Sequence, residues 1–349
     1  MGNPFVPLRP ASRPKSPSEP NTPSRVGPSP EAETAGRPRV PTFLGMPAVI
    51  QSAPMRRLLG FVERVGRLGA AVLITGETGA GKELIARALH EYSTRSARPW
   101  IDLNCAALPE PLIESELFGY ERGAFSGALG SKPGMFELAH TGSIFLDEVG
   151  ELSPRMQVKL LRVLDGAPYY RLGGTRRISA DVRVIAASNQ DPDEAMAAGT
   201  FRRDLYYRLA QIRIHVPPLR ERVEDIVPLA RFFLQQQEPP ALRFSEEALA
   251  ALKRYDWPGN VRELRNVVVE AAVMVDGESI QLHHLPLAVQ AAPPRAVTLE
   301  DVERETILRV LEENGGRQRR TAEMLGISLR TLGRKLKSYD EFWCSHRNP

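Results

Sequence analysis

The sequence has little cysteine and no long apolar run. Its two cysteines, Cys105 and Cys344, stand far apart among 349 residues, which excludes a disulfide framework and a multi-cysteine zinc site. Apolar runs such as Ala70–Ile74 are far shorter than the roughly 18 residues that a membrane helix needs. The N-terminus is interrupted by prolines and lacks the apolar core of a signal peptide. We therefore expect a cytoplasmic protein without a membrane partner.

The remaining composition is that of a globular chain, with 42% hydrophobic and 25% charged residues. Prolines are concentrated at one end, because 11 of the 30 lie in residues 1–41, which we predict to be a disordered arm. Such an arm is too short to be a folded sensor domain. Regulation is therefore expected from a separate protein, from expression level or from ligand effects on assembly.

From about residue 42, short apolar runs alternate with longer amphipathic stretches, which is typical of an α/β fold with a parallel sheet. This pattern assigns residues 42–216 to an α/β domain. Helical periodicity then predicts a small helical subdomain over residues 217–285, and the prolines of residues 286–297 indicate a linker. The predicted strands are Ala71–Thr75, Trp100–Leu103, Ile144–Asp147, Val182–Ala187 and Ile212–Val216.

A glycine-rich segment follows the first predicted strand and opens an amphipathic helix. Glycines let backbone N–H groups surround phosphate oxygens, the helix N-terminus favours negative charge, and a lysine reaches the outer phosphates. Glu83 stands where a Ser or Thr hydroxyl would usually meet Mg²⁺. The context favours an ATP-binding loop over a glycine-rich turn without a ligand. The segment consists of Gly76, Glu77, Thr78, Gly79, Ala80, Gly81, Lys82 and Glu83.

Two adjacent carboxylates, Asp147 and Glu148, end the third predicted strand. Buried carboxylates are costly unless they meet a cation, and ligands of parallel sheets bind at the carboxyl ends of the strands. Asp147 is therefore the candidate Mg²⁺ ligand, and Glu148 the group that would orient or deprotonate the attacking water. The alternative is a solvated turn.

The chain from about Phe43 to Tyr339 resembles one family, the AAA+ activators of sigma-54 RNA polymerase, also called bacterial enhancer-binding proteins. The family's phosphate loop also ends in Gly-Lys-Glu, as this one does at Glu83. The most specific match is a loop formed by Gly123, Ala124, Phe125, Ser126, Gly127 and Ala128. The family has Thr at the position of Ser126, and the resemblance implies that this loop contacts sigma-54. From the residues alone, Phe125 is expected to be exposed on a flexible loop, with packing beneath its own loop as the alternative.

The same resemblance implies roles for residues around the nucleotide. Asn104 would hold the catalytic glutamate until the γ-phosphate arrives, although by itself it would be interpreted as a strand-end cap. Ser188 and Asn189 would sense that phosphate. Arg262 matches a lid residue that contacts nucleotide bound to its own subunit.

Two arginines and a second loop complete the resemblance. Arg202 and Arg208 match the family's arginine fingers, which act on the ATP of a neighbouring subunit in a ring. Without the family, a solvated arginine-rich helix would explain them equally well. The segment Arg171–Gly174 resembles a second surface loop that moves with hydrolysis.

The net charge of +4 is unevenly distributed, because residues 317–337 hold seven Arg or Lys and one Glu. Helices are predicted over Thr298–Glu313 and Arg319–Leu325, followed by a tight turn at Gly326–Ser328 and a last helix that Ser328 caps. This pattern predicts a helix-turn-helix over residues 298–339, followed by a tail of residues 340–349. The module resembles the Fis-type DNA-binding domain of the same activators.

The last helix is expected to turn leucines inward and cations outward. The inward set is Leu329, Leu332 and Leu336. The outward set, which we predict to bind double-stranded DNA, is Ser328, Arg330, Thr331, Arg334, Lys335 and Lys337. A merely solvated basic helix is the alternative.

These patterns predict an AAA+ P-loop parallel sheet with a helical lid and an all-α helix-turn-helix domain. The expected function is that of a ring-forming ATPase, expected to be a hexamer, that uses ATP and Mg²⁺, binds upstream DNA and remodels the closed complex of sigma-54 RNA polymerase. The competing hypothesis is a DNA-binding regulator whose AAA+ domain only controls oligomerisation. An ATPase that remodels other nucleic acids or proteins would leave the Gly123–Ala128 loop unexplained.

Overall fold

The structure is a computed structural model that describes residues 41–237, 242–292 and 299–344. The expected arm, except for its last residue, residues 293–297 of the expected linker, the first residue of the predicted helix Thr298–Glu313, and residues 345–349 of the expected tail lie outside these ranges. The strands are β1 Thr42–Phe43, β2 Met46–Pro47, β3 Val72–Thr75, β4 Trp100–Asn104, β5 Gly119–Tyr120, β6 Lys132–Pro133, β7 Ser143–Asp147, β8 Arg183–Ser188, β9 Ile212–His215, β10 Arg243–Phe244 and β11 Ser279–Ile280. The α-helices are α1 Ala53–Gly66, α2 Lys82–Glu91, α3 Glu110–Phe118, α4 Met135–Leu138, α5 Pro154–Leu164, α6 Pro192–Ala197, α7 Arg203–Leu209, α8 Ile226–Leu234, α9 Glu246–Arg254, α10 Asn260–Val273, α11 Leu287–Gln290, α12 Leu299–Glu313, α13 Gln318–Leu325 and α14 Leu329–Cys344.

Five strands form one parallel sheet in the order β4-β7-β8-β3-β9. They are the five strands that the apolar runs predict, and each begins and ends within one residue of its predicted position. Parallel neighbours require crossover connections, which the intervening helices provide. The predicted α/β class is therefore confirmed.

Alternate residues of the strands enter different cores, because successive side chains of a strand point to opposite faces. Leu73, Leu146 and Ala186 pack on the face covered by α3, α5 and α7. Ile74 and Ile185 pack on the other face, against α1 and α2. Burial on both faces explains why these strands have continuous apolar sequences.

The helical subdomain packs α8, α9, α10 and α11 around its own core. Trp257 lies at its centre, fully buried, and its indole N–H donates to the carbonyl oxygen of Leu252 at 2.8 Å. Helix α11 falls within residues 286–297, where the prolines indicated a linker. That prediction is wrong for Leu287–Gln290, because the buried Val289 packs on the lid core.

The last three helices form a small separate core from Ile307, Ala322 and Leu332. Helix α13 ends at Gly326 in the left-handed conformation, and the Ser328 hydroxyl accepts the N–H of Thr331 at 3.0 Å, so both predicted turn signals are confirmed. The prediction that Leu329 points inward is wrong, because Leu329 lies in the first turn of α14 and is exposed. None of the helices in the described ranges is long and apolar enough to cross a membrane.

Candidate functional site

The glycine-rich segment connects β3 to α2 at the carboxyl edge of the sheet, and α2 begins at Lys82. The Lys82 ammonium donates to the carbonyl oxygen of Gly76 at 3.0 Å and to Glu148 Oε1 at 3.2 Å. Its side chain is only 7% exposed. The loop, its lysine and the candidate catalytic glutamate therefore lie together, as the sequence predicts.

Glu148 is held in a strained backbone conformation. Its φ of 53° lies in the left-handed region, which costs a residue with a side chain about 1 kcal/mol. Its carboxylate is fixed from two sides, by Lys82 at 3.2 Å and by the backbone N–H of Asn189 at 2.9 Å. These contacts orient the carboxylate over the phosphate loop.

Asn104 contacts a different carboxylate from the expected one. Its side-chain amide donates to Asp147 Oδ2 at 3.3 Å, whereas the expected partner was Glu148. The reason is strand register, because β4 and β7 pair Asn104 directly with Asp147. Glu148 lies one residue beyond this ladder, and its positive φ turns it towards Lys82.

The end of β8 reaches the phosphate loop through one of its two predicted sensor residues. The Asn189 side-chain amide donates to Thr78 Oγ1 at 3.2 Å. The Ser188 hydroxyl instead bonds the backbone of Gln190 in a local turn. Asn189 thus touches both the phosphate loop and Glu148.

The donor set fits ATP with Mg²⁺. Burial, and secondly the charge of Glu148, raise the pKa of Asp147, so a cation at this carboxylate would be favourable. The described residues contain no cluster of three His, Cys, Asp or Glu that would hold a metal by itself. Mg²⁺ is commonly bound by one or two carboxylates together with phosphate oxygens, and Asp147 beside the glycine-rich loop offers that arrangement.

The helical lid contacts the phosphate loop at Gly79. The N–H of Val261 donates to the carbonyl oxygen of Gly79 at 3.0 Å. Gly79 has a φ of +74°, and a Cβ there would lie 2.4 Å from the carbonyl oxygen of Gly259 and 3.1 Å from the Cβ of Arg262. Arg262 therefore lies beside the loop, and its expected contact with the nucleotide stays a prediction.

Three further lid residues at the loop were missed from the sequence: Arg220, Arg222 and Asn260. Two of them belong to a run of alternating charges, Arg220-Glu221-Arg222, which begins five residues after the end of β9. That run was the available signal. Asn260 lies two residues before Arg262, and this proximity was the signal that could have placed it at the loop as well.

The Gly123–Ala128 loop rises from the antiparallel pair β5 and β6. Its ends meet where the N–H of Gly123 donates to the carbonyl oxygen of Ala128 at 2.9 Å. Phe125 is 44% exposed and its ring packs edge-on against Tyr120, with 5.0 Å between ring centroids. Phe125 is therefore partly exposed, as expected, and partly packed, as the alternative expected.

The second surface loop is joined to the first. Arg171 pairs with Glu137 at 2.7 Å and with Glu121 at 3.1 Å. The N–H of Leu172 donates to the carbonyl oxygen of Gly119, and the N–H of Glu121 donates to that of Leu172, both at 2.9 Å. Movement of one loop would therefore displace the other, because these contacts join them.

The two candidate arginine fingers stand on the surface around α7. Arg202 pairs with Asp204 at 2.6 Å, and Arg208 pairs with Asp165 at 3.2 Å. Their side chains are 46% and 44% exposed. Within the described residues the hydrogen bonds and ion pairs of the two guanidinium groups go to Asp204, to Asp165 and to the carbonyl oxygen of Leu164, and none goes to the phosphate loop.

The candidate DNA-binding surface on α14 keeps Arg330 and Arg334 exposed. Thr331 is bonded to Ser328, and Lys335 pairs with Glu303 of α12 at 2.6 Å. The side chain of Lys337 lies outside the described residues. Additional exposed cations stand at the start of α13. They belong to the basic block of residues 317–337 but not to the predicted DNA-binding set, and they are Arg317, Arg319 and Arg320.

Three families match the chain in sequence. They are "Sigma-54 interaction domain" over residues 48–215, "AAA+ ATPase lid domain" over residues 220–301, and "Bacterial regulatory protein, Fis family" over residues 298–339.

Relatives and solved structures agree with these matches. The transcriptional regulatory protein ZraR of Klebsiella oxytoca is 46% identical over 325 residues, which cover 90% of this chain and 72% of that protein. The Nif-specific regulatory protein of Azotobacter vinelandii is 43% identical over 298 residues, which cover 81% of this chain and 57% of that protein. The structure of NtrX from Brucella abortus in complex with ATP has a TM-score of 0.64 at 37% identity and covers 83% of this chain and 68% of that chain.

Proposed function

The chain belongs to the sigma-54-dependent transcriptional regulators, with an AAA+ domain, a lid and a Fis-type DNA-binding domain, and from this premise we propose that it hydrolyses ATP to remodel the closed complex of sigma-54 RNA polymerase. The Gly123–Ala128 loop is the surface that contacts sigma-54. The exposed cations of α14 bind an upstream DNA site.

One observation carries the proposed hydrolysis: Lys82, Glu148 and Asn189 form a connected group at the carboxyl edge of the sheet. Glu148 is held where it would accept a hydrogen bond from an attacking water. Lys82 would pair with the outer phosphates in place of Glu148, which frees the carboxylate for that water. Mg²⁺ at Asp147 would supply positive charge for the transferring phosphoryl group.

The proposed arginine fingers require a neighbouring subunit. Within the described part of the chain, the Arg202 guanidinium pairs with Asp204, and the Arg208 guanidinium pairs with Asp165 beside the end of α5. Both side chains are about half exposed. A guanidinium group stabilises charge on a phosphoryl group only when it is close to it. Assembly into a ring would bring the arginines of one subunit to the ATP of the next.

The Glu148→Gln variant tests the proposed hydrolysis. We expect it to bind a fluorescent ATP analogue about as tightly as the wild type, because the substitution keeps the shape of the side chain. Its steady-state phosphate release should fall at least ~100-fold, since it loses the general base. The exposed Glu63→Gln variant of α1 is the matched control and should hydrolyse ATP normally. Unchanged phosphate release from Glu148→Gln would remove Glu148 from its proposed role.

A further inference from the structure

Four consecutive residues of the phosphate loop are bonded to the lid. The carboxylate of Glu77 accepts from Arg220 and from Asn260. The carbonyl oxygens of the next three residues accept from Asn260, from the N–H of Val261 and from the Arg222 guanidinium. The lid, in addition to the flanking strand β3 and helix α2, therefore positions the loop that should receive the phosphates.

Glu77 is the charged member of this group. Arg220 binds it with two hydrogen bonds, at 2.8 Å and 2.5 Å, and the Asn260 amide adds a third at 3.0 Å. The hydrogen bonds from Arg220 are the main reason that the pKa of Glu77 is lowered, so the carboxylate is ionised at neutral pH. A negative charge therefore stands within the loop that must accept a triphosphate.

Asn260 is built into the lid so that its amide reaches the loop. It is fully buried with a φ of 53°, a conformation in which asparagine is tolerated better than most residues. Its side-chain oxygen accepts the N–H of Leu219 at 2.7 Å, which fixes the amide orientation towards Glu77 and the carbonyl oxygen of Thr78 at 3.1 Å. Arg220 follows Leu219 directly, so both partners of Glu77 move together with the lid.

We propose that Arg220 and Asn260 are positioning residues that hold the Glu77 carboxylate against the lid and offset its charge, so that the phosphate loop accepts ATP only while the lid is seated. This inference rests on the proposed binding of ATP. It assigns Glu77 to the contact with the lid, whereas the sequence pattern predicts it among the residues that bind nucleotide. The lid thereby sets nucleotide affinity through the loop.

The test compares three variants: Arg220→Ala, Glu77→Gln, and the two combined. Equilibrium binding of a fluorescent ATP analogue is measured with the full chain at low and at high salt. Arg220→Ala should weaken binding on the order of tenfold at low salt, because it leaves an uncompensated carboxylate beside the triphosphate, and the loss should shrink at high salt. The combined variant should recover most of the affinity, since it removes that carboxylate.

Two further measurements separate this role from general damage to the fold. Arg67→Ala removes an exposed arginine that pairs with Glu63 on α1, and it should leave binding unchanged. In the ATPase assay, Arg220→Ala should raise KM more than it lowers kcat. Thermal unfolding without nucleotide reports whether each variant is folded.

The proposal is overturned if Arg220→Ala binds the analogue as tightly as the wild type, or if the combined variant binds as weakly as Arg220→Ala. In both outcomes the proposed ATPase still stands, provided that the wild-type protein binds the analogue. A wild-type chain that binds no analogue overturns both proposals together.

Discussion

Among single residues, Cys105 shows how the site changes the chemistry of a side chain. It follows β4, its thiol is buried, and its N–H donates to the carbonyl oxygen of Asp147 at 2.8 Å. Burial, with a smaller effect from the carboxylates of Asp147 and Glu148, raises the pKa of Cys105 to about 12. Because the thiolate is the reactive form of cysteine, Cys105 should be inert although it lies at the carboxyl edge of the sheet.

We therefore predict that iodoacetamide at pH 8 leaves Cys105 unmodified in the native protein. The same treatment in denaturant should alkylate it, since its pKa then returns to the ordinary value near 8.5. Peptide mass spectrometry of the two samples measures the difference. Rapid native labelling would show that the Cys105 thiol is more accessible than the structure indicates.

Among the elements, the Gly123–Ala128 loop combines a fixed base with a free tip. The β5–β6 pair and Arg171 fix its base, whereas Phe125 packs on Tyr120 and remains 44% exposed. The sequence predicted the exposure, because a phenylalanine between glycines has little support from its own backbone. It did not predict the aromatic contact, which depends on where the loop turns back over β5.

The Phe125→Ala variant should separate hydrolysis from transcription. Because Phe125 belongs to none of the buried cores, ATPase activity should stay within about twofold of the wild type. Capture of sigma-54 in the presence of a transition-state nucleotide analogue should fall more than about tenfold, as expected for an aromatic contact residue.

The matched control for Phe125→Ala is Leu68→Ala, an exposed apolar residue after α1, which should change neither quantity. Equal loss of ATPase activity and sigma-54 capture in Phe125→Ala would point to a damaged fold instead of a lost contact.

At the scale of the whole molecule, the proposed hydrolysis would require parts that one chain does not bring together. Glu148 and Lys82 meet at the sheet edge, but Arg202 and Arg208 bond to neighbours on and beside α7 and to the end of α5 within the described ranges. Two chains, each defective in a different part, should therefore complement one another at the junction where an intact Glu148 meets an intact Arg208.

Mixing Arg208→Ala with Glu148→Gln tests this arrangement. Each variant alone should hydrolyse ATP at least ~100-fold more slowly than the wild type. A mixture at equal concentrations should regain a measurable fraction of wild-type phosphate release, because mixed assemblies contain junctions with both groups intact. A mixture that is only as active as its components would contradict fingers supplied in trans.

The sequence by itself determined the parallel sheet, the phosphate loop, the Asp147–Glu148 pair and the helix-turn-helix, because apolar periodicity and turn chemistry act over a few neighbouring residues. Only the tertiary structure decided which distant groups meet. The register of β4 against β7 pairs Asn104 with Asp147, and the sequence motif does not show this pairing. The lid brought Arg220 and Asn260 to Glu77 across 143 and 183 residues of sequence, and such a contact depends on how two cores pack together, which no local pattern encodes.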